Sequence, residues 1–269
     1  MFFKAKDLMT VGNIAGGLAC VLVAMEGMAS RTSAEAADYV LWAGFCMLVA
    51  WTFDAFDGVV ARALGQVNRF GAEFDNVADL TSYSVAPSFI LYLAYRRMVV
   101  LPGLEDLQGV QAVLAGVVAL VPALFGCIRF ARFNIRKLDV PGLWIGFPRP
   151  AAALYIIAMV NSHLFLASGT MQWIGIGLVV LVGFMNLSLV PFIGHHGRKF
   201  SWYLGTILHI VWATVAVSVI GGVFLKVVPA NLAFDWVLVW LSFYLFIQWT
   251  DIPTATRREI ARLTSDWNR

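Results

Sequence analysis

Apolar residues fall in eight blocks along this chain, roughly at 8–28, 38–60, 75–95, 109–131, 147–168, 171–193, 203–225 and 232–250. Each block is about as long as a helix needs to cross the hydrocarbon core of a bilayer. Backbone polar groups in hydrocarbon must bond within their own segment, so each block is predicted to be a helix. The connections are short and hold turn formers and charges, as at Pro102-Gly103, Pro141-Gly142, Ser168-Gly169 and His195-His196-Gly197. The pattern predicts an all-α integral membrane protein with about eight transmembrane helices. Its membrane-embedded domain covers 1–250, and a polar tail at 251–269 has the spacing of an interfacial or solvated helix.

Composition strengthens this reading. The 269 residues are 60% hydrophobic and 13% charged, against about 25% charged in an ordinary soluble domain. A soluble core of this length could not hide that excess. Cys20, Cys46 and Cys127 all lie in apolar blocks without C-x-x-C spacing, which excludes a disulfide framework or zinc site. The first block follows Lys4 and Lys6 without a clear small-residue cleavage site, so it is expected to remain as a helix.

The distribution of charge orients the chain. Lys4, Lys6, Arg62, Arg69, Arg129, Arg132, Arg136, Lys137, Arg149, Arg198, Lys199, Arg257, Arg258, Arg262 and Arg269 fall on the side of the N-terminus. Arg31, Arg96, Arg97 and Lys226 fall on the other. The positive-inside rule then places both termini in the cytoplasm, for a multi-pass protein of the cell's inner membrane. The net charge of +3 is modest and calls for no nucleic-acid partner.

The chemistry concentrates in residues 54–79, DAFDGVVARALGQVNRFGAEFDNVAD. Asp54 and Asp57, at i and i+3, share a face at the end of the second block. Asp75 and Asp79, at i and i+4, share a face at the start of the third. A short connection makes the two helices antiparallel neighbours, so four carboxylates converge near one membrane surface. Carboxylates near lipid are costly and mark function. Four together repel, and a divalent cation relieves both problems. Oxygen ligands suit Mg²⁺, Mn²⁺ or Ca²⁺, and no nearby Cys or His favours zinc. Gly58 lets a ligand approach the helix backbone closely. Arg62 suits forked contact with phosphate oxygens, or serves equally as a membrane-surface anchor.

This segment resembles the CDP-alcohol phosphotransferase signature D-x2-D-G-x2-A-R-x8-G-x3-D-x3-D at every fixed position: Asp54, Asp57, Gly58, Ala61, Arg62, Gly71, Asp75 and Asp79. Chance would produce such a match on the order of 10⁻⁹ times per starting point. The resemblance implies a core of six membrane helices, the last two blocks being additions, and a divalent site of two Mg²⁺ or Mn²⁺ ions held by Asp54, Asp57 and Asp75 and completed by Asp79. It further implies that Asp79 is the general base on an acceptor hydroxyl. Gly58, Arg62, Asn68 and Gly71, with Thr10 and Asn13 of the first block, would meet the CDP-lipid. The proline usual ahead of that TVGN segment is missing. A homodimer among membrane lipids is also implied.

A second cluster, GCIRFARFNI followed by GFPRPAA, carries Arg129, Arg132, Asn134 and Arg149 on the same side. It is similar to the R-L-A-R-F-N and G-L-P-x-P pattern of the phosphatidylserine synthases of that family, with Phe130 and Phe147 in place of leucines. This implies transfer of a phosphatidyl group from CDP-diacylglycerol to L-serine, with Arg129, Arg132 and Asn134 as acceptor-binding residues. An arginine pair clamps a carboxylate, but it suits a phosphate equally, so charge alone leaves glycerol-3-phosphate open. Inositol phosphate and choline are further acceptors in the family. A cation transporter would place its acids near the midplane in repeated halves, which this chain does not.

Overall fold

Helix ends in this chain follow local chemistry more than the limits of hydrophobicity. The computed structural model describes residues 4, 6–65, 69–135, 143–193, 213, 217, 221–222, 225–251 and 254–265. Helix α1 spans Asp7–Gly27 and α2 spans Ser33–Leu64. The second apolar block predicts 38–60, but α2 starts earlier because Thr32 and Glu35 cap it. Thr32 Oγ1 accepts from the Glu35 amide (3.1 Å), and a Glu35 carboxylate oxygen accepts from the Arg31 amide (2.8 Å). It ends where Gly65 adopts φ +59°, a left-handed terminator.

Helix α3 (Arg69–Leu80) passes through a π-helical turn at Thr81–Val85 into α4 (Ala86–Leu93) and a second π turn at Ala94–Met98. Pro87 explains the first π turn. It has no N–H, and its ring crowds the carbonyl four residues back, so regular α geometry is disfavoured there. The wide turn buries three consecutive polar residues, Ser82, Tyr83 and Ser84, where an α-helix would turn at least one of them away.

The chain continues through α5 (Gln108–Ile135), α6 (Arg149–Asn161), the single-turn α7 (His163–Ala167) and α8 (Gly169–Leu187). Ser162 separates α6 from α7, its hydroxyl accepting from the Phe165 amide at 3.2 Å. Two short strands, β1 (Leu143–Ile145) and β2 (Pro191–Ile193), pair antiparallel with Trp144 opposite Phe192. No strand is expected from hydrophobicity, because three-residue strands leave no periodic trace. Helices α9 (Leu232–Asp251) and α10 (Thr254–Ser265) follow.

Among the described residues, six segments are long and apolar enough to cross a membrane: Asp7–Gly27, Ser33–Gly58, Arg69–Met98, Gln108–Ile135, Arg149–Ala167 and Gly169–Leu187. They match the first six apolar blocks. The seventh block falls almost wholly outside the described residues, and the eighth is α9, whose apolar stretch Leu232–Leu245 is shorter. The protein is a multi-pass, all-α membrane protein.

Packing sets the depth of the site. Helices α1 and α2 approach closely because a Cβ on Gly16 would lie 2.9 Å from the Ala50 backbone. That contact brings Thr10 and Asn13 level with Asp54 and Asp57. Alternation of direction then collects the start of α1, the end of α2, the start of α3, the end of α5, the start of α6 and the end of α8 on one side.

Candidate active site

Three of the four aspartates come together. Asp54, Asp75 and Asp79 each present a carboxylate oxygen, and these oxygens lie within 4.8 Å of one another. All three residues are partly buried. Asp57 is buried just outside this triangle, and its Oδ2 accepts a hydrogen bond from Thr10 Oγ1 at 2.6 Å.

Helix α1 holds the acids from below. Asn13 Nδ2 donates to Asp54 Oδ1 (3.4 Å) and Asp79 Oδ1 (3.3 Å). The Asn13 carbonyl in turn accepts from Ser82 Oγ at 3.0 Å. Asn13 Oδ1 is buried without a hydrogen-bond partner. Thr10 and Asn13, expected beside the nucleotide, thus touch the aspartates themselves. Gly58 continues α2 past Asp57, and Gly71 is buried in the first turn of α3. The side chain of Arg62 and the whole of Asn68 lie outside the described residues.

Carboxylate oxygens this close repel each other unless a positive charge lies among them. The protein supplies one fixed cation at Asp79: Arg149 Nη2 lies 3.1 Å from Asp79 Oδ2, with both side chains largely buried. The Phe130 ring supports that guanidinium at 5.8 Å. Among the described residues Arg149 alone pairs with this triangle, and a hard, all-oxygen donor set fits a divalent cation. The spare Asn13 Oδ1 adds a further oxygen at the same place.

Arg129 and Arg132 behave differently. Arg129 is buried and donates to the backbone carbonyls of Asn186 and Gly146. Arg132 donates to the carbonyl of Leu187. Both side chains therefore tie α5 to the end of α8. Asn134 is exposed near the end of α5.

Several residues at the site are absent from the sequence-based set. Arg149 is recognised there as a cation of the second cluster but not as a partner of Asp79. Tyr83, whose hydroxyl faces Asp54, and Ser84 follow the last aspartate in TSYSVAPS. Three hydroxyl side chains in an otherwise apolar block are the available signal. Lys6 is buried, pairs with Asp7 at 2.8 Å and lies near Asp75, although its position suggests only a surface anchor.

Fold and site define a multi-pass membrane protein with a carboxylate cluster, able to hold a cation, where its helices end on one side. The chain belongs to the CDP-alcohol phosphatidyltransferase family, which residues 5–185 match. It is similar to proteins named CDP-diacylglycerol–serine O-phosphatidyltransferase from three organisms. The Methanocaldococcus jannaschii protein is 34% identical over 143 residues, 52% of this chain and 58% of that protein. The Helicobacter pylori J99 protein is 31% identical over 182 residues, 66% of this chain and 70% of that protein. The Bacillus subtilis protein is 30% identical over 165 residues, 61% of this chain and 80% of that protein.

Proposed function

We propose that the protein transfers a phosphatidyl group from CDP-diacylglycerol to the hydroxyl of L-serine, giving phosphatidylserine and CMP. The observation that carries this reading is the Asp54–Asp75–Asp79 triangle in a chain of this family. The serine-transferring names of its relatives support the acceptor.

Asp54, Asp57, Asp75 and Asp79 would hold two Mg²⁺ or Mn²⁺ ions. Bound there, the metal supplies charge neutralisation for the pyrophosphate and for the departing CMP. The chain does the rest. Asp79 accepts the proton of the serine hydroxyl as that oxygen attacks the phosphorus bearing diacylglycerol. The bond from that phosphorus to the CMP oxygen breaks. Asn13 and Arg149 hold the Asp79 carboxylate in place, which keeps the base aimed without reorganisation. Thr10 holds Asp57 in the same way. Gly58, Arg62, Asn68 and Gly71 would contact the CDP moiety. Arg129 and Arg132 fix the end of α8 beside the acceptor, with Asn134 at its rim.

The proposed enzyme works as a homodimer in the inner membrane, with its site and both termini facing the cytoplasm. Residues 1–250 form its membrane domain and 251–269 its cytoplasmic tail. Cysteines placed by Leu64→Cys and Val100→Cys report this orientation: reagent in the cytoplasm should label the first and external reagent the second. The deciding experiment supplies purified protein with CDP-diacylglycerol and Mg²⁺ or Mn²⁺, then follows CMP release with serine, inositol phosphate, glycerol-3-phosphate and choline in turn. Serine should be fastest. A faster rate with another acceptor overturns the serine assignment.

A further inference from the structure

The two π turns of the third span each bury a tyrosine, and the two hydroxyls are used differently. Tyr95, in the turn at Ala94–Met98, donates to the Gln172 carbonyl at 2.9 Å. That bond ties its end of the span to α8. Tyr83, in the turn at Thr81–Val85, is 3% exposed. Its hydroxyl faces the Asp54 carboxylate, yet among the described residues it has no partner in hydrogen-bonding geometry. Buried hydroxyls are seldom left so, and the group that this one faces is an acid of the Asp54–Asp75–Asp79 triangle.

The backbone fixes Tyr83 from both flanks. Ser82 Oγ donates to the Asn13 carbonyl at 3.0 Å. Helix α1 comes so close there that a Cβ on Gly17 would lie 2.8 Å from the Ser82 Cα. On the other flank, a Cβ on Gly126 of α5 would collide with the Ser84 side chain. Both neighbours of Tyr83 are wedged against other helices, so the ring between them is held in place.

Asp54 has use for such a donor. Asn13 Nδ2 divides itself between Asp54 Oδ1 at 3.4 Å and Asp79 Oδ1 at 3.3 Å, both longer than the ~2.9 Å usual for an N–H to oxygen bond. Asp79 also has Arg149, and Asp57 has Thr10. The type of donor matters too. A phenol is neutral at ordinary pH, so it can orient a carboxylate without cancelling the charge that a cation needs.

We propose that Tyr83 is a positioning residue of the cation site, its hydroxyl donating to Asp54 and holding that carboxylate in the orientation that binds metal. Hydrogen bonds to ligating carboxylates commonly set metal affinity. The proposal rests on the metal-site reading above. It also gives the π turn a use, since that wide turn is what buries Ser82, Tyr83 and Ser84 together.

The test measures Mn²⁺ binding by paramagnetic resonance, and Tm in detergent, for wild type, Tyr83→Phe and Tyr95→Phe. Tyr83→Phe keeps the ring and removes one oxygen. It should weaken Mn²⁺ binding about tenfold and leave the metal-free Tm unchanged or higher, since that hydroxyl has no formed bond to lose. The metal concentration for half-maximal CMP release should rise in proportion, with most of the wild-type rate recovered at saturating metal. Tyr95→Phe loses a formed hydrogen bond, so it should lower Tm and leave Mn²⁺ affinity unchanged. Wild-type Mn²⁺ affinity in Tyr83→Phe overturns the positioning role and leaves the aspartate site standing. Equal weakening in both variants traces the effect to packing and overturns the role as well. A wild-type protein that binds no Mn²⁺ overturns the cation site itself, and the role of Tyr83 with it.

Discussion

The acid cluster at α1–α3 and the basic cluster at the ends of α5, α6 and α8 both place charge within membrane helices, but they satisfy it in opposite ways. Arg129 and Arg132 donate to backbone carbonyls at the end of α8 and at Gly146. Those carbonyls end a helix or line a turn, where the helix itself supplies no donor. The aspartates face one another, with Asn13, Thr10 and Arg149 meeting only part of their capacity. Charge that the backbone neutralises holds the structure together. Charge left facing like charge can hold a cation. Arg149 belongs to both groups, with one nitrogen on Asp79 and the other unpartnered.

Substitution should separate the two kinds of charge. Asp54→Asn or Asp75→Asn keeps the shape and removes a charged oxygen ligand. CMP release should fall by about a thousandfold or more, and Mn²⁺ binding, followed by paramagnetic resonance, should weaken in parallel. Wild-type turnover at limiting metal would show that the triangle is not the cation site.

Arg129→Ala should act on stability first. Two buried carbonyls lose a charged donor, which should cost about 2–4 kcal/mol, read as a lower Tm in detergent. If Tm is unchanged while the serine KM rises, Arg129 is a ligand contact and the contrast between the clusters fails.

Thr10→Val removes the hydroxyl that meets Asp57 at 2.6 Å while keeping the side-chain volume. Metal affinity, from the metal dependence of turnover, should fall about tenfold, the usual effect of removing a group that orients a ligand. Equal activity at all metal concentrations would leave Asp57 without a role at the site.

The smallest effect belongs to the opposite face. His163 Nδ1 and Asp235 Oδ2 lie 2.6 Å apart, but the two side chains are 55% and 28% exposed. Asp235→Asn should change stability by about 0.5 kcal/mol and leave turnover unaltered. A large loss of activity would show that α9 is coupled to the site.

Sequence alone determined the membrane class, the first six spans and the aspartates. Apolar length and the D-x2-D and D-x3-D spacings are local properties, and lipid leaves a long apolar segment little choice but to be a helix. The same one-dimensional pattern gave no sign of the β1–β2 ribbon, which depends on pairing between Leu143–Ile145 and Pro191–Ile193. Nor did it show which cation would meet which partner. Arg129, Arg132 and Arg149 look alike as cations along the chain, yet two turn to carbonyls of α8 and one to Asp79. Only packing decided that, because a side chain's partner is set by what other helices bring within about 3 Å of it. Tertiary structure likewise decided that the π turn would bury Ser82, Tyr83 and Ser84 together.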